Sequence, residues 1–249
     1  MMRLDKYLAD MRLGTRSELK KAIRSGRVSV NHRPALKPEL KLDETKDTVE
    51  FDGSKISYRS LEYWMLHKPA GVISATRDSG QRTVLDLLGN DRRKDLFPVG
   101  RLDKDTEGLL LVTNDGDLAH RLLAPGKHVD KTYFARIDKK VGQKAVLAFE
   151  EGIDIGDDTP TMPAKLEVLR SSAYLSEHTA GLSLEHREES EVLVTIQEGR
   201  YHQIKRMFAA LGMNVIYLKR LSMGSLVLDE NLEKGEARRL TEEELNSLC

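Results

Sequence analysis

The chain has 249 residues, enough for one large domain or a small one joined to a medium one, and its 40 Lys/Arg balance 40 Asp/Glu, so the formal net charge is zero. A single cysteine, Cys249, excludes intramolecular disulfides, cysteine-rich zinc sites and CxxC redox chemistry. Residues 1–10 are charged without an apolar h-region and no run approaches ~18 apolar residues, so neither export nor membrane insertion is expected and the cytoplasm is the default compartment.

Along the chain the charge is uneven. Residues 1–41 carry eleven Lys/Arg against four acids, whereas residues 229–249 are acidic. Such asymmetry suggests a basic module that touches phosphates, attached to something else. Thr15-Arg16-Ser17-Glu18 has the S/T-x-x-E capping-box form, which predicts a helix from Arg16 to the Ser25-Gly26 stop. Helical periodicity puts Arg16, Lys20 and Arg24 on one stripe and Leu19, Ala22 and Ile23 on the adjoining face. The apolar face packs; the charged one meets either phosphate or water. Residues 28–30 alternate like a short strand, residues 31–34 turn, and residues 48–51 read as another strand.

Residues 58–62 are the expected junction, ahead of the β-forming run Tyr63-Trp64-Met65-Leu66-His67. Residues 67–74 read as strand, turn, strand, with Pro69 and Gly71 in the turn. A charged loop between two glycines, Gly100-Arg101-Leu102-Asp103-Lys104-Asp105-Thr106-Glu107-Gly108, then runs into a buried-looking strand at 108–113. On residue type alone that loop fits a solvated turn as well as a site that uses Asp103. Further on, Asp115-Gly116-Asp117 introduces a helix over 118–124, ended by Pro125-Gly126; residues 131–137 are a strand and 143–150 a helix. Strands at 163–169 and 191–197 flank a polar loop at 171–190. A helix over 201–211 closes at Gly212, and strands follow at 215–218 and 225–228. The mixed order predicts an α+β fold around a largely antiparallel sheet. Where the 191–197 strand gives way to that last helix, Lys205 fits a solvated first-turn lysine as well as one that presents its ammonium to a carboxylate.

The pattern G-R-L-D-x-x-T-x-G-L-L at residues 100–110 resembles the catalytic loop of pseudouridine synthases, with Asp103 at the position of their essential aspartate. Lys68-Pro69 resembles the start of the same catalytic domain. E-G-R-Y-H-Q-I-K-R-M, residues 198–207, resembles the family's third motif, whose basic residue pairs with the aspartate; the resemblance assigns this role to Lys205, with Arg200 as second choice. Tyr133 matches the tyrosine whose ring stacks on the target base. Arg101 is then the candidate to fill the space that the base vacates, Ile204 an apolar wall of the pocket, and His202 a brace for it.

At the other end, R-L-D-K-Y-L followed by T-R-S-E-L-K-K-A-I-R-S-G-R-V-S-V-N resembles an S4 RNA-binding domain, with Arg3, Arg16, Lys20, Lys21, Arg24 and Arg27 as its RNA contacts. The layout resembles the RsuA branch: an S4 domain over residues 1–60 and a catalytic domain over 61–249. The resemblance implies an isomerase that converts a uridine of small-subunit (16S) ribosomal RNA, at a 516-type site, to pseudouridine. It implies no cofactor and no metal, a partner that is ribosomal RNA or a small-subunit assembly intermediate, no membrane, and a monomer. The alternatives are a large-subunit enzyme of the same branch and a non-catalytic S4-containing assembly factor.

Overall fold

In the computed structural model, which describes residues 1–58, 61–89, 92–177 and 184–248, the chain forms two compact units. The first comprises Met1–Glu62 and Leu88–Phe97; the second comprises Tyr63–Leu87 and Pro98–Cys249. The expected junction at 58–62 lies partly outside the described residues.

The first unit is built on the capped helix Arg16–Arg24. Thr15 Oγ1 accepts from the Glu18 amide at 3.3 Å and Glu18 Oε2 accepts from the Thr15 amide at 2.7 Å, so the predicted capping box forms. Leu19 and Ile23 are buried with Leu4, Tyr7 and Leu8 of a second helix, Leu4–Asp10. A four-stranded antiparallel sheet, Arg33–Pro34, Val28–Val30, Val49–Phe51 and Ser54–Ile56 in that order, contributes Val28 and Val49 to the same core. The segment Leu88–Phe97 adds the nearly buried Arg93, whose guanidinium meets Asp95 at 2.8 Å and Asp10 at 3.7 Å and lies 5.5 Å from the centre of the Tyr58 ring.

The second unit is the predicted α+β domain. Its main sheet runs Lys165–Glu177, Leu184–Ile196, Lys131–Ile137, Val215–Met223, Glu107–Thr113, Tyr63–Lys68, Ala237–Arg239. Each neighbouring pair is antiparallel except one, where Val215–Met223 runs parallel to Glu107–Thr113. All seven residues of Glu107–Thr113 are buried, as a central strand covered on both faces requires. Helices Gln143–Glu151 and Gln203–Ala210 bring Phe149 and Phe208 together at 4.9 Å between ring centres. No helix among the described residues is long and apolar enough to cross a membrane.

Three expected elements take a different form. The polar loop expected at 171–190 is a ladder, since the strands Lys165–Glu177 and Leu184–Ile196 pair as far as Glu177 and Leu184; its tip, 178–183, lies outside the described residues. The mostly polar side chains of 171–190 leave no period-2 apolar alternation, and the ladder forms through backbone hydrogen bonds, which any side chain permits. Residues 72–74 form no strand, only a single bridge from Ile73 to Thr83. The helix expected from residue 201 begins at Gln203, because His202 sits in the left-handed region at φ 49°.

The parallel junction depends on Gly108. It faces Arg220 across the two strands at φ 104°, and a Cβ there would lie 2.2 Å from the Arg220 carbonyl oxygen. Gly108→Ala is therefore expected to destabilise the fold by at least about 3 kcal/mol, read as a lowered denaturant midpoint at unchanged m-value.

Candidate active site

The stretch after Gly100 is fixed from below before it offers anything to solvent. Ser74 Oγ donates to the Leu102 carbonyl at 2.8 Å and accepts from the Leu102 amide at 3.0 Å. Lys68 is completely buried, and its ammonium donates to the carbonyls of Pro69 at 3.0 Å, Lys104 at 3.3 Å and Thr106 at 2.8 Å. Burial pushes the Lys68 ammonium down to about 8, against the pull of Asp105, Asp103 and Glu107. Two of those three carbonyls belong to the residues on either side of Asp105, so the loop is held by its backbone and the Asp105 side chain is left exposed. The sequence motif Lys68-Pro69 marked the place without revealing this job, and Ser74 carried no signal at all.

Asp103 is three-quarters buried and faces Lys205, whose Nζ lies 3.0 Å from Asp103 Oδ2 and 2.6 Å from Asp105 Oδ1. One ammonium thus serves two carboxylates. Burial works against the Lys205 charge, but hydrogen bonding and the charges of Asp105 and Asp103 outweigh it, and the ammonium titrates above the ordinary lysine range. Asp105 is held below the ordinary carboxylate range, since Lys205 outweighs the opposing effect of burial. His202 presents Nε2 at 3.6 Å from Asp103 Oδ1.

Asp103, Lys205 and His202 line a cleft of about 440 Å³, open to solvent, that also takes in Arg101, Tyr133, Arg200 and Ile204. All seven pocket residues singled out from the sequence therefore converge. Tyr133 is buried on the Lys131–Ile137 strand; Leu102, Ile196 and Leu218 add apolar wall. The second choice for the basic partner is engaged elsewhere: Arg200 binds Glu198 at 2.9 Å and the carbonyls of Thr159 at 2.6 Å and Pro160 at 2.8 Å. Lys205, in the first turn of its helix, is the residue that reaches Asp103. Asp105 was missed as a second partner because, in the motif, it reads as a variable position. Among the described residues no group of three or more His, Cys, Asp or Glu is arranged to hold a metal ion.

The six basic residues singled out near the N-terminus all lie in the first unit. Arg16, Lys20, Lys21 and Arg24 are exposed around the packed face of their helix. Arg3 and Arg27 are instead bonded to Asp5 and Asp52.

Residues 62–210 match the RNA pseudouridylate synthase family and residues 2–49 match the S4 domain. The chain is 44% identical to an uncharacterized RNA pseudouridine synthase of Bacillus subtilis, over 99% of this chain and 98% of that one. It is 42% identical to ribosomal small subunit pseudouridine synthase A of Vibrio cholerae, over 99% of each. A crystal structure of a pseudouridylate synthase, 37% identical, superposes with a TM-score of 0.66 over 100% of both chains.

The buried Lys68 yields a pH signature. A lysine whose folded value is lowered binds fewer protons in the native state than in the unfolded one, so its burial costs stability below about 8 and the cost is relieved as pH rises toward 10.5. Lys205, shifted upward, acts in the opposite sense above the ordinary lysine range. The stability of the native chain minus that of Lys68→Met should therefore rise between pH 8 and 10.5, by on the order of 1–2 kcal/mol, with solvent near the open cleft screening the full shift. Urea titrations at several pH values measure it.

Proposed function

The chain belongs to the RNA pseudouridylate synthase family, and from that premise we propose that it converts one uridine of small-subunit (16S) ribosomal RNA, at a 516-type site, to pseudouridine. The observation that carries the reading is the meeting of Asp103, Lys205 and Tyr133 in one cleft. The choice of the small subunit rests on full-length similarity to relatives named for that RNA.

Isomerisation breaks the bond from N1 of uracil to C1′ of ribose and forms one from C5 to C1′; C5 gives up a proton and N1 gains one. Atoms and electrons balance, so no cofactor or metal is called for. In this proposal the target uridine is drawn out of its stack, at a cost of a few kcal/mol, and its base is received against Tyr133. Arg101, exposed at the mouth of the cleft, fills the gap left behind. Asp103 acts on the ribose, by addition or by proton abstraction, with the Lys205 ammonium paired to it at 3.0 Å. His202 braces the free side of that carboxylate, and Ile204 walls the base pocket.

We assign residues 1–60 to RNA capture and residues 61–249 to catalysis. Arg16, Lys20, Lys21 and Arg24 meet phosphates through the exposed side of their helix; Arg3 and Arg27 act with their aspartate partners attached. The protein works as a cytoplasmic monomer on ribosomal RNA or on an assembling small subunit.

The primary test is pseudouridine mapping on small- and large-subunit ribosomal RNA, bare and ribosome-bound. Wild-type protein is expected to create one new site in the small-subunit RNA, and Asp103→Asn none, at least ~10³-fold slower while still binding RNA. A new site in the large-subunit RNA instead moves the substrate to that RNA. No new site in any RNA leaves the non-catalytic assembly factor.

The role of the basic helix is tested separately by replacing Arg16, Lys20 and Arg24 together with alanine. RNA affinity should fall, and the slope of log affinity against log salt should shrink by about 2–3. Unchanged affinity and slope in filter-binding titrations would remove the helix from the interface.

A further inference from the structure

Between two residues that line the cleft, Arg200 and His202, stands a side chain to which the reaction outlined above gives no role. Tyr201 is 74% exposed, more than any other large apolar side chain among the described residues apart from Met1. It is not loose. Its ring is stacked on the imidazole of His202, with centroids 3.9 Å apart and planes 17° from parallel. His202 itself holds a left-handed backbone, a conformation uncommon outside glycine, and turns its Nε2 edge toward Asp103. Behind the ring pair, the Tyr201 carbonyl accepts from Arg206 Nη1 at 3.2 Å, and Arg206 is tied to Asp157. The result is an aromatic plate with one face backed by an imidazole and the other open, one ring away from a group that touches the proposed catalytic carboxylate.

An aromatic ring stacks on planar partners through its face, and Tyr201 keeps one face open while the other is held by His202. Extracting a uridine from RNA supplies such a partner, because the nucleotide next to it loses the base it was stacked on. We infer that the open face of Tyr201 is a stacking platform for the nucleobase adjacent to the target uridine, with His202 coupling that platform to the catalytic cleft. Stacking accepts any base but grades them by stacking strength, so the platform adds affinity and a mild preference for context at one flanking position. The inference rests on the reading that Asp103 acts on a uridine of RNA.

The test titrates transcribed small-subunit and large-subunit ribosomal RNA against three proteins in an Asp103→Asn background: the parent, Tyr201→Ala and Tyr201→Phe. Loss of the plate in Tyr201→Ala should weaken binding about 5- to 100-fold with an unchanged salt slope, while Tyr201→Phe stays within about 2-fold of the parent. Melting temperatures should coincide, since an exposed ring carries little of the core. Parental affinity in Tyr201→Ala on both RNAs, an equal loss in Tyr201→Phe, or a reduced salt slope overturns the platform. Pseudouridine mapping with Asp103 intact separates the two claims. Conversion of a uridine with no binding loss in Tyr201→Ala keeps the reaction and discards the platform; binding loss without conversion discards the reaction and, with it, a platform beside the target uridine, leaving Tyr201 only a contact to RNA. No binding to either RNA overturns both.

Discussion

The contents of the cleft depend on one close approach, the backbone of Gly108 against that of Arg220. It is the place where the sheet changes from antiparallel to parallel pairing. On one side of it lies the strand that continues from the Asp103 loop; on the other lies the strand whose register partner is Tyr133. A methyl group at Gly108 would collide with the Arg220 backbone and strain the one pairing that joins the loop's strand to the tyrosine's side of the sheet. The same seam carries a buried guanidinium, since Arg220 Nε donates to the Leu109 carbonyl at 2.7 Å. Close packing makes such a seam discrete instead of compliant, which is what a reaction needing groups at fixed separations requires.

A shared electrostatic theme runs beneath it. Lys68 is a buried cation whose hydrogen bonds go to backbone carbonyls, and Lys131 holds the carbonyls of Val129 and Gln197 in the same fashion. Carbonyl dipoles take the place of water around these buried ammonium groups. Asp103 and Asp105 act on the Lys68 charge from a distance and pair directly with the ammonium of Lys205.

Much of this was legible in the residues. The capping box at Thr15, the buried strand after Gly108 and the strand at 131–137 are local patterns, and local patterns survive into the fold. Asp103, Lys205 and Tyr133 were legible through resemblance, because their residue types alone fit solvated turns, helix faces and strand packing just as well. Three things were hidden. The arm beyond residue 170 pairs through backbone atoms, which leave no mark in side-chain alternation. The anchoring by Lys68 and Ser74 acts on carbonyls and amides more than 25 residues away, and no spacing rule encodes that. The left-handed turn at His202, which shortens a helix and aims a ring, is set by tertiary contacts in a sequence that reads as continuous helix.

The segment Leu88–Phe97 sits in the middle of the stretch matched to the synthase family, yet it packs with the N-terminal unit. The polypeptide therefore passes between its two units three times, after residues 62, 87 and 97. A fragment ended at residue 62 keeps Asp10 and Tyr58 but forfeits the Arg93 guanidinium that both of them meet. The two modules are interleaved along the chain: the border that sequence families draw between them is not a point at which the polypeptide can be cut with each half keeping its own interior.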